Sequence, residues 1–474
     1  MKTMRDTAPC PPGDSEPLSE EDAEEHVHGI CFKTGPPARL GVELEWLVHD
    51  GRDPALPVDQ QRVTAALAGL DVPGALPGRG RLTTEPGGQV EISSAPVVGL
   101  AACIARASDD LTALRRAFQP GGLALAGMGL DPLRSPRRVL DQPRYAAMEE
   151  FFNRDGPWGR FMMCSTASVQ VCVDAGQEGT GPDSLTRRWR LLHTLGPVLV
   201  AAFANSPICE GRATGWKSTR QAIWAQLDPG RTRPPAHAQP TSAASNGNGR
   251  TGLDGEADHR AAWVDYALGA EVMCMRRAAP RPWSAPAGLT FRDWLRGAGE
   301  RPPTLGDLDY HLSTLFPPVR PRGHLEVRVI DAQPGDGWVV PAAVLDALLR
   351  DETAGDEALA AAQPLWGPAL AGNGSVPGHA GWWDGRNPWL RAARFGPADR
   401  LISAAATNCF GAAESALGRL DAPPDVRQAV TTFAERYVAR SRCPADDRLD
   451  EARRGEGGPA QATVYATQSL QPEE

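Results

Sequence analysis

The chain has 474 residues, 41% of them hydrophobic and 23% charged, a composition that supports a globular protein with a sizeable buried core. Its net charge of −9 argues mildly against a nucleic-acid partner, because neutralising phosphates takes a basic surface. The longest apolar run near a helix pattern, 191–204, contains His193 and Pro197 and is too short to span a bilayer.

Residues 1–29 are rich in Pro, Ser and acids, lack a signal-peptide pattern, and read as a disordered tail. A strand follows at Leu40–Val48, with Val42, Leu44, Trp46 and Val48 on one face and Glu43 and Glu45 on the other. A second is expected at Gln89–Ser94, where Val90 and Ile92 oppose Gln89, Glu91 and Ser93, and a helix at 99–118. Ser168–Asp174 sets Val169, Val171 and Val173 against Gln170, Cys172 and Asp174. A helix is expected at 185–204, a flexible inserted loop at 233–258, where nothing apolar is available to bury, and another helix at 261–276. His324–Asp331 sets Leu325, Val327 and Val329 against Glu326 and Arg328. Helices at 340–350 and 397–439 precede a charged end. The expected organisation is a catalytic body over 30–395, a helical part of the same fold over 396–440, and a disordered tail over 441–474.

The polar faces of these strands carry mostly acids and amides rather than the mixture that meets water. A solvated sheet face remains the alternative. If the strands pair in one sheet, Glu43, Glu45, Glu91, Gln170 and Glu326 converge, and Glu85 joins them across the Gly87–Gly88 turn. Crowded carboxylates take up protons unless a cation neutralises them. Oxygen donors without paired His or Cys suit a hard divalent ion, Mg²⁺ or Mn²⁺, and this many acids suggests more than one. Such ions commonly clamp phosphate oxygens, and Arg328, two residues from Glu326, would supply a fixed positive fork for a phosphoryl group.

Nucleotide-loop motifs are absent. In GRATGWKST (211–219) the spacing is wrong for a phosphate loop, because Trp216 separates the second glycine from Lys217. No GxGxxG opens a helix after a strand. The nine cysteines include no CxxC pair, which excludes a zinc or disulfide framework and fits reduced thiols in a cytoplasmic protein. Trp224 and Tyr266 line either a pocket or the core, and His311 reads as structural.

Over about 38–335 the sequence resembles the carboxylate–amine ligases of the glutamate–cysteine ligase type. The motifs, in order, are GVELEW (41–46), TTEPGGQVEISS (83–94), MMCSTASVQVCVD (162–174), ANSPICEGRATGWKSTRQAIW (204–224), LDPGRT (227–232), VDYAL (264–268), LTFRDWLRG (289–297), PTLGDLDYHLSTLFPPVR (303–320) and HLEVRVID (324–331). The similarity is greatest to the actinobacterial form associated with ergothioneine synthesis.

The resemblance implies an α+β fold: a curved antiparallel sheet forming a funnel, glutamine synthetase-like, with helices outside. It implies ATP-dependent joining of the γ-carboxylate of L-glutamate to the amine of L-cysteine through a γ-glutamyl phosphate. Glu43, Glu45, Glu85, Glu91, Gln170 and Glu326 become candidates for Mg²⁺, and Arg328 and Arg220 for phosphate or substrate carboxylate. Cys172 stands where the family pattern has Asn. The expected partners are these small molecules, with no nucleic acid, membrane or protein partner evident. The alternatives are a ligase of the same fold with another amine, a non-catalytic nucleotide- or amino-acid-binding relative, and a metal-dependent hydrolase.

Overall fold

The computed structural model describes residues 16–35, 38–70, 72, 74–235, 258–367 and 387–455. Its strands in chain order are β1 (Arg39–Asp50), β2 (Arg81–Thr84), β3 (Val90–Ser93), β4 (Val97–Val98), β5 (Leu123–Ala126), β6 (Ser168–Val173), β7 (Ile208–Cys209), β8 (Arg212–Ala213), β9 (Val319–Pro321) and β10 (Leu325–Asp331). Strands β7 and β8 form a small hairpin; the other eight form one sheet in the order β2-β3-β1-β6-β10-β9, with β4 and β5 also paired to β1. Every pairing in that sheet is antiparallel. Helices and an antiparallel sheet in one chain make this an α+β protein.

Register follows from the two-residue alternation of the strands. Leu44 of β1 lies opposite Ile92 and Val169, Val42 opposite Val171, and Val327 of β10 opposite Val171. These side chains are buried and form the apolar side of the sheet. The helices Leu100–Phe118, Leu185–Ala202 and Val339–Arg350 pack against sheet strands. The last of these is apolar nearly all round, because Glu352–Ala362, Arg400–Arg419 and Pro424–Arg436 also pack on it or on each other. Among the described residues one main hydrophobic cluster includes residues from Ala23 to Val438, and a second, around Leu130, Phe151, Phe152, Met162 and Ile223, is separate from it. No helix among the described residues is long and apolar enough to cross a membrane.

Two expected tails contain structure. Glu20–Cys31 is a helix that begins inside the expected 1–29 tail and runs past its end, with Ser19 capping Asp22 N–H and Ala23, Val27 and Cys31 buried at four-residue spacing. Its acids, which made the segment look disordered, pair with arginines: Glu24 with Arg292 at 2.9 Å and Glu20 with Arg296 at 2.9 Å. At the other end, Pro444–Gly455 is a helix within the expected 441–474 tail. Cys443 and Ala445 are fully buried, and Ala445 N–H donates to the carbonyl of Ala204 at 2.9 Å. Helix 397–439 is two helices, Arg400–Arg419 and Pro424–Arg436, broken at Pro423–Pro424, and the 261–276 helix ends at Gly269. The expected loop at 233–258 lies outside the described residues over 236–257.

Candidate active site

The polar side of the sheet gathers the predicted carboxylates in rows. Glu43 lies between Gln170 on β6 and Ser93 on β3. Glu45 is opposite Glu91, which is opposite Thr83 on β2. Glu326 is opposite Cys172 on β6 and Arg320 on β9. Glu85 begins the turn between β2 and β3, its N–H donating to the carbonyl of Gln89 at 2.8 Å. That turn is seated by Gly87, where a Cβ would stand 2.1 Å from the carbonyl oxygen of Cys164.

A bulge decides where Arg328 points. Val171 pairs with Val327 and Val169 with Ile330, so Arg328 and Val329 together face Gln170. The bulge also shifts the alternation, placing Asp331 opposite Ser168. Arg328 donates to the Gln170 side-chain oxygen and to Glu326. The Gln170 amide nitrogen donates to Glu45 at 2.9 Å, and Ser168 N–H donates to the other Glu45 oxygen at 2.8 Å. Gln170, expected as a neutral metal donor, therefore bridges Glu45 and Arg328, with its oxygen engaged by the guanidinium.

The carboxylates fall into two electrostatic classes. Burial pushes Glu43 up to about 8, with the charges of Glu326 and Glu91 adding to it. Burial also raises Glu85 well above the ordinary range, reinforced by Glu91 and Glu45. Glu91 is raised by burial and by Glu45, against hydrogen bonds from Ser93 at 2.9 Å and Thr83 at 3.0 Å. Burial raises Glu45 although Arg220 and Arg328 oppose it. Glu326 goes the other way: burial would raise it, but Arg320, Arg328 and Arg322 outweigh burial and hold it well below the carboxylate range. Four acids thus share more negative charge than their surroundings neutralise, and hard oxygen donors of this kind fit a divalent cation. Among the described residues no three acidic, imidazole or thiol groups already form a metal cage.

Arg220 lies behind Arg328. Its terminal nitrogen donates to the carbonyl of Arg328 at 2.9 Å, and another stands 3.7 Å from Asp331. Its Nε and one terminal nitrogen are buried without a hydrogen-bond acceptor among the described residues, which suits an incoming anion. Trp224 stands beside it, edge-on to Phe316 at 5.7 Å, and Arg328 lies over the Phe316 ring. Tyr266 stacks on Trp263 at 5.1 Å, and buried His311 binds the Ala267 carbonyl at 2.8 Å, both in packing roles. Lys217 pairs with Asp446 at 2.5 Å on the C-terminal helix, which removes it as a phosphate ligand. The described cysteines are all free, and Cys172 is a neutral thiol raised by burial and by Glu43 and Glu326.

Sequence reading did not single out Arg320, which donates to both oxygens of Glu326 at 2.9 Å. The available signal was the hairpin spacing of VRPRGHLEV, in which Gly323 turns the chain and sets Arg320 opposite Glu326. Gln221 was also missed, since its partner is a backbone carbonyl.

Comparison with known proteins agrees with the motif order. The profile of Glutamate-cysteine ligase family 2 (GCS2) matches residues 39–464. Glutamate–cysteine ligase EgtA of Mycolicibacterium smegmatis is 38% identical over 437 residues, covering 91% of each chain. The EgtA of Mycobacterium tuberculosis is 37% identical over 446 residues, covering 93% of this chain and 92% of its own. A crystal structure of glutamate–cysteine ligase from Francisella tularensis in complex with AMP covers 92% of this chain and 91% of its own, at 14% identity and a TM-score of 0.38, too remote to bear on the site. On the length and identity of these matches, the chain is a member of glutamate–cysteine ligase family 2.

Proposed function

We propose that the protein is an ATP-dependent glutamate–cysteine ligase of the cytoplasm, forming γ-glutamylcysteine for ergothioneine synthesis on a sheet curved into a funnel. The observation that carries this reading is the crowding of Glu43, Glu45, Glu85 and Glu91 beside Arg328, in a chain whose relatives named above are glutamate–cysteine ligases.

A carboxylate does not acylate an amine in water, because its leaving group is poor. An oxygen of the glutamate γ-carboxylate attacks the γ-phosphorus of ATP and ADP leaves. The cysteine amine then attacks the acyl carbon, phosphate leaves, and the nitrogen gives up a proton. The protein has to position anions and spread their charge. Glu43, Glu45, Glu85, Glu91 and Glu326 would hold Mg²⁺, in more than one ion. Bound Mg²⁺ supplies the positive charge that neutralises phosphate oxygens. Arg328, held by Gln170 and Glu326, presents its fork to the transferring phosphoryl group. Arg220, with Nε–H lacking an acceptor among the described residues and one terminal nitrogen 3.7 Å from Asp331, offers its guanidinium to a substrate carboxylate or phosphate. Glu326, kept ionised by Arg320, keeps Arg328 in place.

The test is incubation of the purified protein with ATP, Mg²⁺, L-glutamate and a panel of amines including L-cysteine. γ-Glutamylcysteine and ADP in equal amounts are expected. Product with another amine only would replace the acceptor. Phosphate release without any amine would point to a hydrolase, and ATP binding without turnover to a non-catalytic relative.

A further inference from the structure

A bulge interrupts its ladder, so the carbonyls inside it need other partners. Here they find them on one short helix, Thr219–Ala225. Arg220 donates to the carbonyl of Arg328 at 2.9 Å, and the Gln221 amide donates to the carbonyl of Val329 at 3.0 Å. The helix is itself tied back to β10. Ser206 Oγ accepts from Arg220 N–H at 3.1 Å and Ser218 Oγ from Gln221 N–H at 3.2 Å. Both hydroxyls donate to the buried carboxylate of Asp331, at 2.7 and 2.9 Å. Asp331 lies three residues beyond Arg328, so the hydrogen bonds close a ring around the bulge.

We infer that Gln221 is a positioning residue: through the Val329 carbonyl it holds the bulge that aims Arg328 at Gln170 and Glu326. This rests on the reading of Arg328 as a group that serves ligation. Among the described residues the Gln221 side chain hydrogen-bonds to the Val329 carbonyl and to no candidate metal ligand or proposed substrate group, so its effect has to travel through the backbone of β10. A donor that fixes the direction of a charged fork acts on the transition state more than on ground-state binding.

The experiment compares wild type, Gln221→Leu, Arg328→Ala and the double variant by steady-state kinetics, thermal unfolding and hydrogen exchange over 325–331. Gln221→Leu is expected to lower kcat by about 10²-fold, the scale of a misplaced reacting group, with the KM for ATP and glutamate near wild type. Exchange over 325–331 should quicken, and the double variant should be no slower than Arg328→Ala. A loss of Tm without loss of kcat, or losses that multiply in the double variant, would overturn the inference. If Gln221→Leu does not fold, Gln221→Glu, which has the same size but cannot donate when ionised, must reproduce the kcat loss. Should the wild type ligate no amine, the functional reading has failed, and exchange alone decides: faster exchange confined to 325–331 supports the clamp, and unchanged exchange overturns it.

Discussion

Arg320 grips Glu326 with two parallel hydrogen bonds of 2.9 Å, one to each carboxylate oxygen. Both residues are buried. The pair separates Glu326 from the other acids of the face. It stays ionised and anchors Arg328, while Glu43, Glu85 and Glu91 are pushed toward protonation by burial and by one another. A single sheet face thereby holds one carboxylate kept ionised by arginines and several crowded toward protonation.

Removing the partner of a buried charge leaves that charge uncompensated. Arg320→Met is expected to cost about 3–5 kcal/mol of stability and to abolish ligation, since Glu326 loses its fork. Urea unfolding measures the first effect, and a midpoint equal to wild type would contradict the pairing. Arg320→Lys keeps the charge but not the two parallel bonds, so it should recover only part of the stability.

Cation binding should stabilise the fold, because it relieves repulsion that exists only when the sheet is assembled. Mg²⁺ at about 100 times its dissociation constant is expected to add about 2.7 kcal/mol, read as a rise in Tm. Glu43→Gln with Glu91→Gln should shrink that rise and stop turnover, and chelation should stop turnover in wild type. An equal Tm response in the double variant would place the ion elsewhere.

The metal-free protein should lose stability as pH rises from about 5 to 8. Glu43 titrates at about 8 when folded, against an ordinary value of 4.5, so in that window the folded state binds more protons than the unfolded one. Stability therefore falls with increasing pH between the two values. Glu43→Gln should flatten the slope, and so should Mg²⁺, which takes the place of the proton. A Tm independent of pH across this window would refute the crowding.

Lys217 tests the rejected phosphate loop. Because it pairs with Asp446, Lys217→Ala should leave the KM for ATP unchanged and cost about 1 kcal/mol or less of stability. A tenfold rise in that KM with unchanged Tm would return Lys217 to the nucleotide.

Much of the site was legible from alternation. In GVELEW and QVEIS, apolar residues two apart require the intervening Glu43, Glu45 and Glu91 to share the opposite face, and burial of the apolar side leaves no other register. Glu85 was readable from Gly87–Gly88, since a tight turn folds it back beside Glu91. The helix Glu20–Cys31 was hidden because its acids dominate composition, while its three buried positions count only once a surface exists to receive them. The same holds for Pro444–Gly455, which docks on Ala204 and Lys217 from more than 200 residues away.

By itself the sequence determined the chemistry: which residue types face together, that they are hard oxygen donors beside an arginine, and, through motif order, the family. Local periodicity and covalent spacing are enough for that, because a strand's faces are set by its own backbone. Only the tertiary structure decided which arginine neutralises which acid. Arg320 donates to both oxygens of Glu326, Gln170 accepts from Arg328 through its side-chain oxygen, and a bulge closed by Arg220 and Gln221 sets the direction of that guanidinium. Charge pairing depends on distance and burial across strands, and no single segment carries either.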